Sequence, residues 1–174
     1  VFGSPGMPQM GQQGTPAWAF LNELQRDYSV RQLPLGAQHI DDDIKVLIVL
    51  HPRDIKDVAQ YAIDQFVLRG GKLIAFLDPY AYFDQIRAPN NPMPMGGGQS
   101  NLDALLTQWG VTLEKQKVVA DLRLMGRAGQ QSTPTVLFLQ GEESLEAKDL
   151  IMSQVGTLVM PFAGAFSGKP AAGL

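Results

Sequence analysis

Residues 44–50 read Ile-Lys-Val-Leu-Ile-Val-Leu, an apolar run rich in β-branched side chains. Such a run is typical of a strand that is covered on both faces of a sheet. Residues 55–67 follow, with apolar side chains at the i, i+3, i+4, i+7 spacing of an amphipathic helix. Gly70-Gly71 ends this helix, and residues 72–77 form a second apolar run. Strand, helix and strand in this order predict a βαβ unit with two parallel strands, and hence a layered α/β fold.

Weaker patterns extend the unit in both directions along the chain. Asp54 with Asp57, and Ser100 with Asp103, resemble capping boxes at the starts of two helices. Gly110 would end the second of these helices. The other predicted elements are helices at 16–27 and 146–151 and strands at 29–33, 118–120, 135–139 and 156–160.

Length and composition are those of one compact domain. The chain has 174 residues, of which 45% are apolar, enough for a sizeable core. We predict a single α/β domain at 15–166 between flexible segments at 1–14 and 167–174. Since the chain begins at Val1 and has no signal-peptide pattern, we expect a fragment of a larger protein.

Charge and motif content exclude several classes of function. The net charge is −3, without a run of five like charges, which argues against a nucleic-acid-binding protein. The absence of cysteine excludes disulfides, thiolate metal sites and a cysteine nucleophile. Pro170 follows Gly168-Lys169, so the phosphate-binding loop motif is not complete. Asp41-Asp42-Asp43 could attract a hard cation, but we favour a solvated turn before the first strand. We therefore predict no metal and no cofactor.

Polar side chains follow both strands of the predicted βαβ unit. His51 and Arg53 come after the first strand, and Asp78 and Tyr80 come after the second. In open parallel sheets, ligands bind beyond the carboxyl ends of the strands. These four residues are therefore the candidate ligand-binding or partner-binding site, with the long loop at 81–99 above them. The alternative is structural: prolines shape the two turns, and Arg53 pairs with Asp78.

The stretch at 40–54, Ile-Asp-Asp-Asp-Ile-Lys-Val-Leu-Ile-Val-Leu-His-Pro-Arg-Asp, is distinctive. It continues at 61–73 with Tyr-Ala-Ile-Asp-Gln-Phe-Val-Leu-Arg-Gly-Gly-Lys-Leu and reaches Asp78-Pro79-Tyr80. This pattern resembles the gliding-motility-type ABC transporter auxiliary family. The resemblance implies a membrane-anchored protein with a large extracytoplasmic (periplasmic) region, working with the permease and ATPase subunits of an ABC transporter. No membrane contact is expected within this fragment itself.

The resemblance also carries an expectation about the fold. The related domain of intraflagellar transport proteins implies a three-layer, doubly wound, mainly parallel sheet. Such a sheet is flavodoxin-like and similar to that of class I glutamine amidotransferases. The likeness implies no amidotransferase activity, since the chain has no cysteine to act as nucleophile.

Three hypotheses about function follow. The first is a non-catalytic binding or scaffolding domain of an ABC-type transport system, possessing no enzyme activity. The second is a hydrolase of a sugar or another polar substrate that uses Asp78 with a second carboxylate such as Asp121. The third is a purely architectural role, in which the apolar stretch at 155–166 packs against another part of the parent protein. An exposed apolar patch in that stretch would favour the third hypothesis.

Overall fold

The computed structural model describes residues 19–81, 98–128, 131–141, 144–146, 148–150 and 152–171. The chain divides into two compact units. The first comprises Val1–Leu77, Ser100–Gly110 and Gly173–Leu174, and the second comprises Asp78–Gln99 and Val111–Ala172. The predicted segment at 1–14 and most of the predicted loop at 81–99 lie outside the described residues.

The first unit contains the predicted βαβ unit, which is confirmed. Its helices and strands are α1 (Ala19–Asp27), β1 (Val46–Leu50), α2 (Asp57–Leu68), β2 (Lys72–Phe76) and α3 (Asp103–Gln108). β1 and β2 pair in parallel, from Val46 opposite Lys72 to Leu50 opposite Phe76. The apolar stripe of α2 is buried, with Ile63 and Phe66 fully inaccessible to solvent. Burial of this stripe holds the helix on the strands, because propensity alone rarely stabilises a helix of this length.

The ends of these helices differ in part from the sequence prediction. Gly70 has a φ of 93° and ends α2 as predicted, since glycine adopts the left-handed conformation without a steric penalty. The predicted capping boxes are wrong: Lys56 and Leu102 precede α2 and α3, and neither makes a side-chain cap. Asp54 instead lies in the loop before α2 with a φ of 55°.

The second unit is antiparallel. β3 (Val111–Leu113) pairs with β7 (Phe166–Gly168). β4 (Met125–Ala128), β5 (Gln131–Gln140) and β6 (Thr157–Pro161) form a three-stranded sheet in that order. β5 includes the strand predicted at 135–139, and β6 corresponds to the strand predicted at 156–160. A 3-10 helix, Met152–Gln154, precedes β6.

The predicted three-layer, doubly wound, flavodoxin-like sheet is wrong. Among the described residues, β1 and β2 are the one parallel pair, and the other paired strands are antiparallel. Residues 29–33 and 118–120 contain no strand, and the described part of 146–151 contains no helix. The prediction extended the parallel order of the βαβ unit to strands whose partners are set by contacts distant in sequence, which local patterns do not specify.

Candidate functional site

His51 and Arg53 lie in the first unit, directly after β1, and both are half-buried. The backbone N–H of His51 donates to the carbonyl of Phe76 at 2.9 Å. Nδ1 of His51 lies 2.8 Å from Oγ of Ser100, which is fully buried. The φ of His51 is 38°, in the left-handed region that is strained for a side chain of this size. These contacts attach the end of β1 to the segment that leads into α3.

Asp78 and Tyr80 lie in the second unit. The ring of Tyr80 meets the ring of Phe162 edge to face, with centroids 5.3 Å apart and planes at 71°. Such aromatic pairs contribute about 0.5–1.5 kcal/mol beyond the area they bury. Tyr80 is 38% exposed, whereas the neighbouring Pro79 is fully buried. The four predicted site residues are thus divided between the two units, and the predicted site of these residues stays a prediction.

The carboxylate named in the hydrolase hypothesis, Asp121, organises a turn. Its Oδ1 accepts hydrogen bonds from the backbone N–H of Arg123 at 2.7 Å and of Leu124 at 3.2 Å. These two donors lower the pKa of Asp121 below its ordinary value. A catalytic acid needs the opposite shift, a raised pKa, to hold its proton near neutral pH. Asp121 is therefore not suited to the role of general acid.

The aspartates that precede β1 are engaged by arginine side chains. Nη1 of Arg31 binds Oδ2 of Asp41 at 2.9 Å, and Nη2 of Arg31 binds Asp43. Nη1 of Arg69 lies 3.7 Å from Oδ1 of Asp42. Within the part of the chain that the structure describes, no group of three or more His, Asp or Glu side chains could hold a metal ion. The turn itself is closed by a 3.1 Å bond from the N–H of Ile44 to the carbonyl of Asp41.

A cavity of about 650 Å³ lies in the first unit beside β1. It is lined by Leu24, residues 28–31, Leu33, residues 43–48 and Ile74. The lining is mostly apolar, and its volume lies within the range of about 300–1,000 Å³ that is usual for ligand pockets. The sequence pattern did not reveal this cavity, because the β1 run was interpreted as covered on both faces.

The three-stranded sheet of the second unit exposes apolar side chains on both faces. Phe138 pairs with Val159 across the strands on one face, and the two are 38% and 51% exposed. Met125 and Met160 flank the buried Leu137 on the other face and are 42% and 37% exposed. We refer to Phe138, Val159 and Met160, which lie on and beside the edge strand β6, as the apolar edge. It contains residues of the 155–166 stretch, where an exposed apolar patch favours the architectural hypothesis.

Helix α3 is held by two polar side chains of α2 that lie one turn apart. Oε1 of Gln60, which is only 3% exposed, accepts from the backbone N–H of Leu105 at 3.1 Å. Oδ1 of Asp64 accepts from Nε1 of Trp109 at 2.9 Å. Gln60 thereby caps one of the first-turn N–H groups that a helix cannot satisfy internally. Sequence reasoning missed both contacts, because the polar residues of an amphipathic helix are expected to face solvent.

Within the described ranges, no helix has both the length and the apolar composition that a bilayer crossing needs. Searches of curated proteins and of solved structures found no match to the chain. A family model described as "ABC-type uncharacterized transport system" matches residues 2–174. This match covers nearly the whole chain and agrees with the resemblance carried by residues 40–80. The chain therefore belongs to this family, the auxiliary components of ABC-type transport systems.

Proposed function

We propose that this chain is a non-catalytic scaffolding domain of its transport system and that it docks on the permease subunit through the apolar edge. In this proposal it lies on the extracytoplasmic side of the membrane, in a membrane-anchored parent protein. Family membership supports an association with a transport system. The resemblance seen in the sequence supports the permease as partner and the side of the membrane.

The exposed apolar edge is the observation that carries the proposal. Single exposed apolar side chains are normal on a protein surface. Here, however, Phe138 and Val159 face each other in a cross-strand pair, and Met160 is exposed on the opposite face of β6. Among the described residues, β6 has a partner strand on one side only. An edge strand that is apolar on both faces is a surface for another protein, because alone it would promote aggregation.

The lowered pKa of Asp121 makes it unsuited to the general-acid role of the hydrolase hypothesis and leaves the base or nucleophile role open. The second carboxylate of the hydrolase hypothesis is held in a turn with a lowered pKa. A protein partner also needs no converging polar groups, whereas hydrolysis of a glycosidic bond needs two carboxyls in defined positions. The apolar edge offers a surface to another protein segment and does not depend on Asp78. The architectural hypothesis fills the same surface with another part of the parent protein, in which case recovery of the permease would not depend on it.

The docking is tested with a double variant of the parent protein, Val159→Thr with Met160→Gln. Both changes keep the approximate shape of the side chain but place a polar group in an interface that excludes water. A polar group buried there without a hydrogen-bond partner weakens binding by about 1–3 kcal/mol. We expect recovery of the permease with the affinity-purified parent protein to fall at least about tenfold. The matched control is Leu122→Gln, since Leu122 is 77% exposed in the same unit and lies outside the apolar edge.

Equal recovery of the permease by the double variant and the wild type would refute docking through the apolar edge. Thermal unfolding of both variants must match the wild type, so that loss of binding is not loss of fold. From the resemblance to the gliding-motility-type family we also propose that the docking serves gliding motility. In that case the double variant slows surface movement of the same cells and the control does not.

The side of the membrane is tested separately. The chain contains no cysteine, so an introduced cysteine is the one label site within it, and the parent protein without the substitution gives the background labelling. Thr107 is exposed on α3, and Thr107→Cys in the parent protein should react with a membrane-impermeant maleimide in intact cells. A reaction that occurs only after lysis would contradict the extracytoplasmic location.

A further inference from the structure

The cavity of the first unit has an apolar wall that the two parallel strands build. Val46, Ile48 and Ile74 all line it. They share one face of the pair, since residues two apart on a strand point the same way and Ile48 lies opposite Ile74. Leu24 of α1 and Leu33 add further apolar lining. Val46 and Ile74 are 52% and 46% exposed, so the cavity gives access to a face that a parallel sheet normally covers.

The charged part of the lining contains one cation without an ion pair. Residues 43–45, which precede β1, line the cavity together with Arg31. Arg31 and Arg69 engage all three aspartates of the run at 41–43, so each carboxylate has a guanidinium partner. Nζ of Lys45 donates to the carbonyl of Asp42 at 3.2 Å, and Lys45 makes no ion pair among the described residues. An ammonium group has three N–H donors, so Lys45 keeps donors for a ligand.

The volume of the cavity, about 650 Å³, limits the size of its ligand. A water molecule takes about 30 Å³ in the liquid, so there is room for roughly 20 non-hydrogen atoms. One aliphatic chain of about a dozen carbons with a single acidic group fits this space, and a lipid with two long chains does not. In such a ligand the chain leaves water against the apolar wall, and the acid pairs with the ammonium group of Lys45.

We propose that this cavity binds a single-chain aliphatic carboxylate. The chain lies against the open face of β1 and β2, and the carboxylate accepts from Lys45. Apolar contact supplies affinity for the chain, and the charge of Lys45 selects an anion over a neutral molecule of the same length. The inference goes beyond the proposed docking of the apolar edge, because it concerns the first unit and stands if that docking fails.

Three probes with the same twelve-carbon chain test the proposal: dodecanoate, dodecanol and dodecylammonium. Isothermal titration calorimetry of the full chain at neutral pH, with each probe below its micelle concentration, measures the dissociation constants. We expect saturable binding of dodecanoate. Its dissociation constant should be at least about tenfold lower than that of dodecanol, since hydrogen bonds between charged groups are stronger than neutral ones. Dodecylammonium should bind more weakly than dodecanol, because its charge repels that of Lys45.

Three variants locate the binding on the protein. Lys45→Met removes the charge, and should raise the dissociation constant of dodecanoate about tenfold and change that of dodecanol less than about twofold. Lys56→Met is the matched control, since Lys56 is an exposed lysine of the same unit outside the lining. Ile74→Gln places a polar group in the apolar wall and should weaken both probes at least about fivefold. Circular dichroism checks folding; if Ile74→Gln does not fold, the two lysine variants still decide.

Three results would overturn the proposal. Absence of saturable dodecanoate binding would show that the cavity admits no such ligand. Equal affinities for dodecanoate and dodecanol, unchanged in Lys45→Met, would show an apolar site without recognition of the acid. An equal loss of dodecanoate binding in Lys45→Met and Lys56→Met would assign the binding to the general charge of the surface.

Discussion

Replacement of Gln60 by methionine removes the side-chain amide, and with it the Oε1 acceptor of the Leu105 N–H, while it keeps the length of the side chain. Methionine is similar in size and in helix propensity, so packing in α2 is preserved. The N–H of Leu105, which Oε1 of Gln60 accepts at 3.1 Å, then loses its partner. Both residues are 3% exposed, so water cannot easily replace the amide oxygen. A buried donor left without a partner costs about 1–3 kcal/mol.

For a chain of this length, a loss of about 2 kcal/mol corresponds to a fall in Tm of roughly 4–8 °C. Differential scanning calorimetry of Gln60→Met measures this shift. Hydrogen exchange locates it, since the Leu105 amide should exchange faster than in the wild type. Gln108→Met is the control, because Gln108 is an exposed residue of α3; its Tm should change by less than about 2 °C. If Gln60→Met has the Tm of the wild type and the Leu105 amide stays protected from exchange, Gln60 does not cap α3.

Two further changes test the packing of α2 and the turn at Asp121. In Gly71→Ala the new Cβ would overlap the ring of Phe66, which is fully buried. Urea denaturation should show a loss of about 1–3 kcal/mol in the free energy of unfolding, and an unchanged midpoint would contradict the close contact. The backbone N–H groups of Arg123 and Leu124 lower the pKa of Asp121. The ionised carboxylate of Asp121 therefore stabilises the folded state above its unfolded-state pKa, and this stabilisation is lost as pH falls through the lower folded-state pKa. The urea midpoint of the wild type should fall as the pH is lowered from about 5 to about 2, and that of Asp121→Asn should fall less. The same pH dependence in both proteins would argue against a stabilising role of the Asp121 carboxylate.

The βαβ unit could be predicted because its signals are local. Three signals each depend on one short segment: the apolar run of β1, the apolar stripe of α2 and the glycine that ends α2 at Gly70. The structure confirms the strand, the helix and the helix end. The capping boxes failed because a spacing of three residues does not fix the backbone. Asp54 adopts a positive φ, and the first turn of α3 is capped by Gln60 from α2, a residue far away in sequence.

The candidate site was predictable only in part. His51 does follow the carboxyl end of β1, but its contact with Ser100 joins residues 49 positions apart. An exposed apolar patch at 155–166 was named only as an observation that would favour the architectural hypothesis, and the place of Phe138 beside Val159 depends on the pairing of β5 with β6. The cavity beside β1 could not be anticipated, since a run of apolar residues does not show whether both faces of the strand are covered.

The sequence by itself determined the βαβ unit and, through the residues around it, the family. Only the tertiary structure decided that the strands after α3 pair antiparallel and that β1 borders a cavity. The physical reason is that helix periodicity and glycine conformations are properties of short segments. Strand pairing instead depends on hydrogen bonds and burial between segments distant in sequence.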